Sequence, residues 1–99
     1  MKSGYSISWI DHALDELGQT IECLRLNFSQ REIDNLAERI EAVLRFLSIY
    51  PNLYPETAQK VGVRRAVVAR LNTLYYRVDT EADRLRILSF FSNRDDPEN

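Results

Sequence analysis

The sequence predicts an α+β domain. A short N-terminal strand is followed by an antiparallel two-helix hairpin and then a three-stranded antiparallel meander, with the helices packed on one face of the sheet. Three observations predict it. Apolar residues recur at three- and four-residue steps through the first half of the chain. After Pro55 the apolar period falls from 3.6 to 2. The predicted elements are joined by short, polar connections, which favour antiparallel neighbours. With 99 residues the chain fits one domain spanning 1–99. That is enough to bury one core, but too short for a TIM barrel or a complete dinucleotide-binding fold.

Residues 5–9 place Tyr5, Ile7 and Trp9 on one side and Ser6 and Ser8 on the other, which reads as a strand. Trp9 is expected to anchor the helical hairpin to the sheet. Ile10, Ala13, Leu14, Leu17, Ile21, Leu24 and Phe28 then form a helical stripe, so the first helix runs from about 9 to 28. Ser8 with Asp11 serves as its start signal. Ser29 and Glu32 read as a capping box for a second helix. Its stripe is Ile33, Leu36, Ala37, Ile40, Val43, Leu44 and Leu47, and Pro51 stops it near Ser48 or Tyr50.

The segment Pro51 to Pro55 is a turn-rich connector. Beyond it, strands are expected near 60–70, 73–79 and 84–91. In the first, Val61, Val63, Val67, Ala69 and Leu71 fall on odd positions. In the second, Leu74, Tyr76 and Val78 alternate with Tyr75, Arg77 and Asp79. In the third, Leu85, Ile87 and Phe91 oppose Arg84, Arg86, Leu88 and Phe90. Residues 80–83 form a hairpin loop, and 93–99 read as a polar tail.

Composition removes several functions. One cysteine, Cys23, allows no internal disulfide, and one histidine, His12, with one cysteine cannot complete a structural zinc site. Cys23 is expected to be a half-buried structural thiol and His12 a surface or cap residue. No P-loop, GxGxxG or HExxH pattern is present, and neither a signal peptide nor a membrane span is visible. The expectation is a cytoplasmic protein without metal or cofactor and without a membrane partner.

The net charge of −2 conceals a division. Residues 1–58 hold 5 Lys/Arg against 9 Asp/Glu, residues 59–94 hold 8 against 3, and residues 95–99 add three acids. The helices are acidic, the sheet is basic and the tail is acidic. Seven of the eight sheet cations are arginine, whose planar fork matches carboxylate and phosphate. An anion- or partner-binding surface is therefore expected from Arg64, Arg65, Arg70, Arg77, Tyr75 and Arg94, with the outward tyrosine of the Tyr75–Tyr76 pair available for stacking. Charge on strands also guards edges against aggregation, which is the competing role for any single arginine.

Several segments resemble the RelE/ParE family of bacterial type II toxins, and the resemblance spans nearly the whole chain. Gly62-Val63-Arg64-Arg65-Ala66-Val67-Val68 resembles the family's arginine-bearing second strand. Leu74-Tyr75-Tyr76-Arg77-Val78 resembles its third strand. The run from Arg86 to Pro97 resembles its last strand and the basic residue that follows. This resemblance implies a toxin neutralised by a cognate antitoxin. If the chain is a nuclease, Arg64, Arg65 and Arg94 match the family's cation positions. Thr73 stands where RelE carries an arginine, and no tyrosine follows Tyr76, so the family's acid/base residues are missing. The resemblance therefore leans to a ParE-like toxin that binds an essential target such as DNA gyrase. A RelE-like endoribonuclease acting on ribosome-bound mRNA, and a non-toxic peptide-binding module, are the alternatives.

Overall fold

A computed structural model of the chain describes residues 4–58, 60–69 and 72–92. Its elements run β1 (Ser6–Trp9), α1 (Asp11–Asn27), α2 (Gln30–Ile49), β2 (Arg64–Ala69), β3 (Asn72–Asp79) and β4 (Arg84–Ser92). This is the predicted order. β2, β3 and β4 form the antiparallel meander, and β1 joins the far side of β4 in parallel. The sheet is therefore mixed, in the order β1-β4-β3-β2. Only a crossover lets β1 run parallel to its neighbour, and the helical hairpin is part of that crossover.

Both helices end close to where the sequence places them, but their caps differ from expectation. Ser8 lies inside β1, paired with Arg86, and the α1 N-cap is Ile10, which makes no side-chain cap bond. Ser29 is the α2 N-cap as expected. Its hydroxyl caps nothing, and the Glu32 N–H donates instead to the Ser29 carbonyl at 3.0 Å.

The core lies between the helices and one sheet face. Ala13 and Leu24 from α1, and Leu36 and Leu47 from α2, pack against Ala66, Val68, Leu74, Tyr76, Leu85, Ile87 and Phe90. Trp9 packs on this cluster, with its ring 6.5 Å from that of Phe90.

Two strands depart from simple alternation. In β2 the even residues Ala66 and Val68 face the core, whereas Val67 is 54% exposed and Val61, ahead of the strand, is 90% exposed. Val63, just ahead of the strand, is buried as the odd-position expectation has it, but within β2 that expectation is inverted, and a register shift between Val67 and Ala69 follows. In β4 the partner of Tyr75 is Ser89 and that of Tyr76 is Ile87, leaving Leu88 as an extra residue. This bulge reverses the phase of the strand. Phe90 enters the core and Phe91 is 46% exposed, opposite to expectation.

Candidate anion-binding face of the sheet

The sheet face away from the helices carries the polar positions of each strand, and the register arranges them in rows. Arg65 of β2 stands opposite Tyr75 of β3, which stands opposite Ser89 of β4. Arg77 stands opposite Arg86, which stands opposite Ser8 of β1. Asp79 stands opposite Arg84, which stands opposite Ser6. Arg65, Arg77, Arg84 and Arg86 are all exposed. Tyr75 is half-buried, and its alternation with the core residue Tyr76 is the one the sequence predicts.

A groove of ≈ 460 Å³ opens beside Tyr75, lined also by Thr57, Lys60, Val63, Leu88 and Ser89. The turn before β2 sets its rim. The Thr57 N–H donates to the Val63 carbonyl at 2.7 Å, and the Lys60 N–H donates to Thr57 Oγ1 at 3.2 Å. These bonds hold Lys60 beside Tyr75. The groove lining contains an ammonium, a phenol and two hydroxyls, of which that of Ser89 is already donated to Glu16 Oε1 of α1, and it contains no imidazole and no carboxylate of its own. Such a lining has groups that can receive an anion or a flat group, and it lacks the commonest proton acceptors.

Arg64 and Arg65 are adjacent in sequence and serve different ends. Arg65 lies on the open face, and its backbone N–H donates to the Pro55 carbonyl at 3.2 Å. Arg64 belongs to the helix side of the sheet. Its Nη1 donates to the Tyr54 carbonyl and, at 3.4 Å, to that of Asn52, which ties the connector to β2. Beneath it, the Tyr76 hydroxyl donates to the Pro51 carbonyl at 3.1 Å. Burial pushes the Tyr76 phenol up to about 12, against the opposing pull of the Arg64 charge. Arg64 therefore holds the connector and takes no place in the open rows. Arg70 and Arg94 lie outside the described residues, as does the tail 93–99.

Three contributors escaped the sequence reading. Lys60 sits on the groove, Leu88 lines it because of the bulge, and Arg86 stands directly against Arg77. The alternation of Arg84 and Arg86 with Leu85 and Ile87 was the signal that could have placed the last of these. His12 is on α1, exposed, with Nε2 3.3 Å from Glu16 Oε2. Cys23 is a half-buried free thiol. Among the described residues no group of three His, Cys, Asp or Glu could hold a metal ion, and no helix is long and apolar enough to cross a membrane.

No protein-family model matches the chain, and no curated protein matches it. Solved structures do. A chain of the chromosomal ParDE toxin–antitoxin system from P. aeruginosa superposes with a TM-score of 0.72 at 16% identity, covering 89% of this chain and 95% of that one. The RelBE2 toxin–antitoxin complex from Mycobacterium tuberculosis gives 0.66 at 20% identity, covering 96% and 98%. The DinJ-YafQ toxin–antitoxin complex from E. coli gives 0.53 at 14% identity, covering 92% and 94%. The chain shares the fold of these chains. Each match spans nearly all of both chains, so the shared fold accounts for the helical hairpin and the whole sheet together. At these identities the likeness is one of fold, and the residues of the open face are this chain's own.

Proposed function

We propose that this chain is the toxin of a bacterial type II toxin–antitoxin pair, acting in the cytoplasm and held inactive by a cognate antitoxin. The observation that carries this reading is the near full-length match, in both directions, to chains of several toxin–antitoxin systems. Within it, the ParE-like mode is preferred: growth is inhibited by binding an essential target such as DNA gyrase. The open face supports this, because its arginines and Tyr75 supply binding groups while the groove has neither imidazole nor carboxylate.

One observation favours a RelE-like reading. Lys60 and Tyr75 line the same groove, and an ammonium beside a phenol can steady a phosphate and move a proton.

Expression of the chain alone, and together with the product of the adjacent gene, tests the toxin role. Growth arrest relieved by co-expression, with a stable complex on co-purification, is expected. Equal growth in both cases with no complex defeats the toxin reading. A stable complex without toxicity at high expression identifies a peptide-binding module. DNA-damage signalling with intact mRNA supports the ParE-like mode, and ribosome-dependent mRNA cuts abolished by Lys60→Ala and Tyr75→Phe replace it with the RelE-like one.

A further inference from the structure

We propose that the hollow between α2 and the start of β3 binds a small zwitterion with a carboxamide tip, an α-amino acid of the asparagine or glutamine kind. The proposal is independent of the toxin reading, and the hollow lies on the helix side of the sheet, away from the Tyr75 groove. Asn72 opens β3, paired with Ala69 of β2 and Ser92 of β4. It is 2% exposed and shares the helix-facing side with the core residues Leu74 and Tyr76. Its side-chain oxygen Oδ1 is buried and has no hydrogen-bond partner among the described residues.

An orphaned buried acceptor lowers stability, and an apolar side chain of the same shape would remove the cost. A donor is therefore wanted at this point. The hollow beside Asn72 has a volume of ≈ 260 Å³. Leu24, Leu36 and Ala69 give it apolar walls, and Glu32, Asn35 and Arg39 give it a polar rim. Oδ1 is out of the reach of solvent, but the last torsion of an asparagine is soft, so a turn of the amide brings the oxygen to the floor of the hollow.

The rim recognises the two ends of a zwitterion. Glu32, Asn35, Leu36 and Arg39 recur at three- and four-residue steps on one face of α2. Glu32 and Arg39 stand two turns apart, about 10.5 Å along the helix axis, and both are exposed. Among the described residues the ion pairs join His12 to Glu16 and Glu22 to Arg25, so both rim charges are open to a ligand. One carboxylate and one guanidinium leave the rim without net charge. That disfavours a phosphate or a polyanion and suits an ammonium held by Glu32 with a carboxylate held by Arg39.

The floor selects the tip. An asparagine amide presents an acceptor and donors side by side. A primary carboxamide is its complement, since the ligand N–H donates to Asn72 Oδ1 and the ligand carbonyl accepts from Asn72 Nδ2. A carboxylate tip brings acceptors alone and leaves Oδ1 orphaned, and an aliphatic tip brings neither partner. The methylene groups between head and tip lie against the apolar walls.

The test uses the full chain, with L-glutamine and L-asparagine as probes and L-glutamate and L-methionine as controls. The NMR signals of the Asn72 side-chain amide and of Arg39 Nε–Hε should shift together and saturably with at least one of the two carboxamides. L-glutamate and L-methionine should bind at least about tenfold more weakly, because neither returns a donor to Oδ1. Glu32→Gln and Arg39→Gln, both on the exposed face of α2, should each weaken binding about tenfold while the protein stays folded, and Arg45→Gln further along the helix should leave it unchanged. No saturable shift with either carboxamide up to about 10 mM shows a hollow that holds water only, and overturns the proposal whatever the variants do. Equal affinity for L-glutamine and L-glutamate overturns it too, as does unaltered binding in both rim variants.

Discussion

Glu16 and Phe90 meet where β1 ends. The Phe90 N–H donates to Glu16 Oε1 at 2.9 Å, and the neighbouring Ser89 hydroxyl donates to the same oxygen at 2.8 Å. β1 pairs with β4 only as far as Trp9 and Ile87. Beyond that point the β4 edge would present an unpaired amide, and a carboxylate from α1 takes the place of the missing strand. The contact also pins α1 to the sheet at the bulge. Glu16→Ala should therefore destabilise the protein by about 1.5–3 kcal/mol, the range for hydrogen bonds to a charged group. Glu16→Gln, which keeps an acceptor without the charge, should cost less than half of that. Chemical denaturation of the three proteins decides the matter, and equal stability of wild type and Glu16→Ala would show the edge amide to be satisfied by water.

Tyr76 makes a second prediction, this one dependent on pH. Its ring is fully buried and its hydroxyl serves the Pro51 carbonyl. Burial raises the phenol to about 12 in the folded state, against an ordinary value of 10.0. A neutral phenol is thus favoured by folding, and its contribution is complete below pH 10. Between pH 10 and about 12 the folded chain keeps a proton that the unfolded chain has released, so stability falls as pH rises. The loss over that window is on the order of 2–3 kcal/mol. Tyr76→Phe should cost about 1–2 kcal/mol at neutral pH, because a buried carbonyl loses its partner. It should also flatten the alkaline limb. Denaturant midpoints measured from pH 8 to 11.5 read both effects, and parallel limbs in the two proteins would contradict the assignment.

The helices were legible because their signals are local. A stripe, a stop at Pro51 and a polar residue at position 29 suffice to bound α2. The backbone itself makes the first-turn bond, which leaves the Ser29 hydroxyl idle without moving the boundary. The strands were legible as elements and less so as faces. Alternation assigns a face only while the ladder is unbroken, and here it is broken at Leu88 and again between Val67 and Ala69. One extra residue reverses every side chain after it. That is why Phe90 and Phe91 exchange places; in β2 the phase changes earlier, between the buried Val63 and the buried Ala66, ahead of the shift at Val67 and Ala69. The candidate site inherits the same difficulty. Basic charge on the sheet was plain from the sequence, but the separation of Arg64 from Arg65 depends on the face of β2. The opposition of Arg77 to Arg86 depends on register, which no count of residues supplies.

Gly62 predicts a cost that comes from the backbone. Its φ is 81°, in the region that residues with a Cβ avoid. Gly62→Ala should lower stability by about 1–2 kcal/mol. The added Cβ would also meet Arg77 Nη1, but a guanidinium at the end of a flexible chain can swing aside. The penalty should therefore persist to within about 0.5 kcal/mol in an Arg77→Ala background. A double-mutant cycle by thermal or chemical denaturation measures this. Disappearance of the penalty in that background would show that the clash sets the cost and the backbone does not.

Arg64 and Arg65 let a structural role be separated from a proposed functional one across a single peptide bond. Arg64 is half-buried and its guanidinium holds the carbonyls of Asn52 and Tyr54. Removing it leaves those acceptors to find water and frees the connector from β2. Arg64→Ala should cost about 1.5–3 kcal/mol, with faster proteolysis between residues 51 and 58. Arg65 is exposed on the open face, opposite Tyr75. Arg65→Glu should change stability by no more than about 0.5 kcal/mol, because the side chain is solvated and its backbone bond to Pro55 survives. Reversing a charge beside the Tyr75 groove should nevertheless abolish growth inhibition if the open face is the working surface. Expression level, thermal stability and growth can be followed in the same strains. A stable but non-toxic Arg65→Glu protein, beside an Arg64→Ala protein whose toxicity declines only in step with its folded fraction, is the expected pair. The reverse pattern, with toxicity lost in a stable Arg64→Ala protein and kept in Arg65→Glu, would move the working surface to the helix side of the sheet.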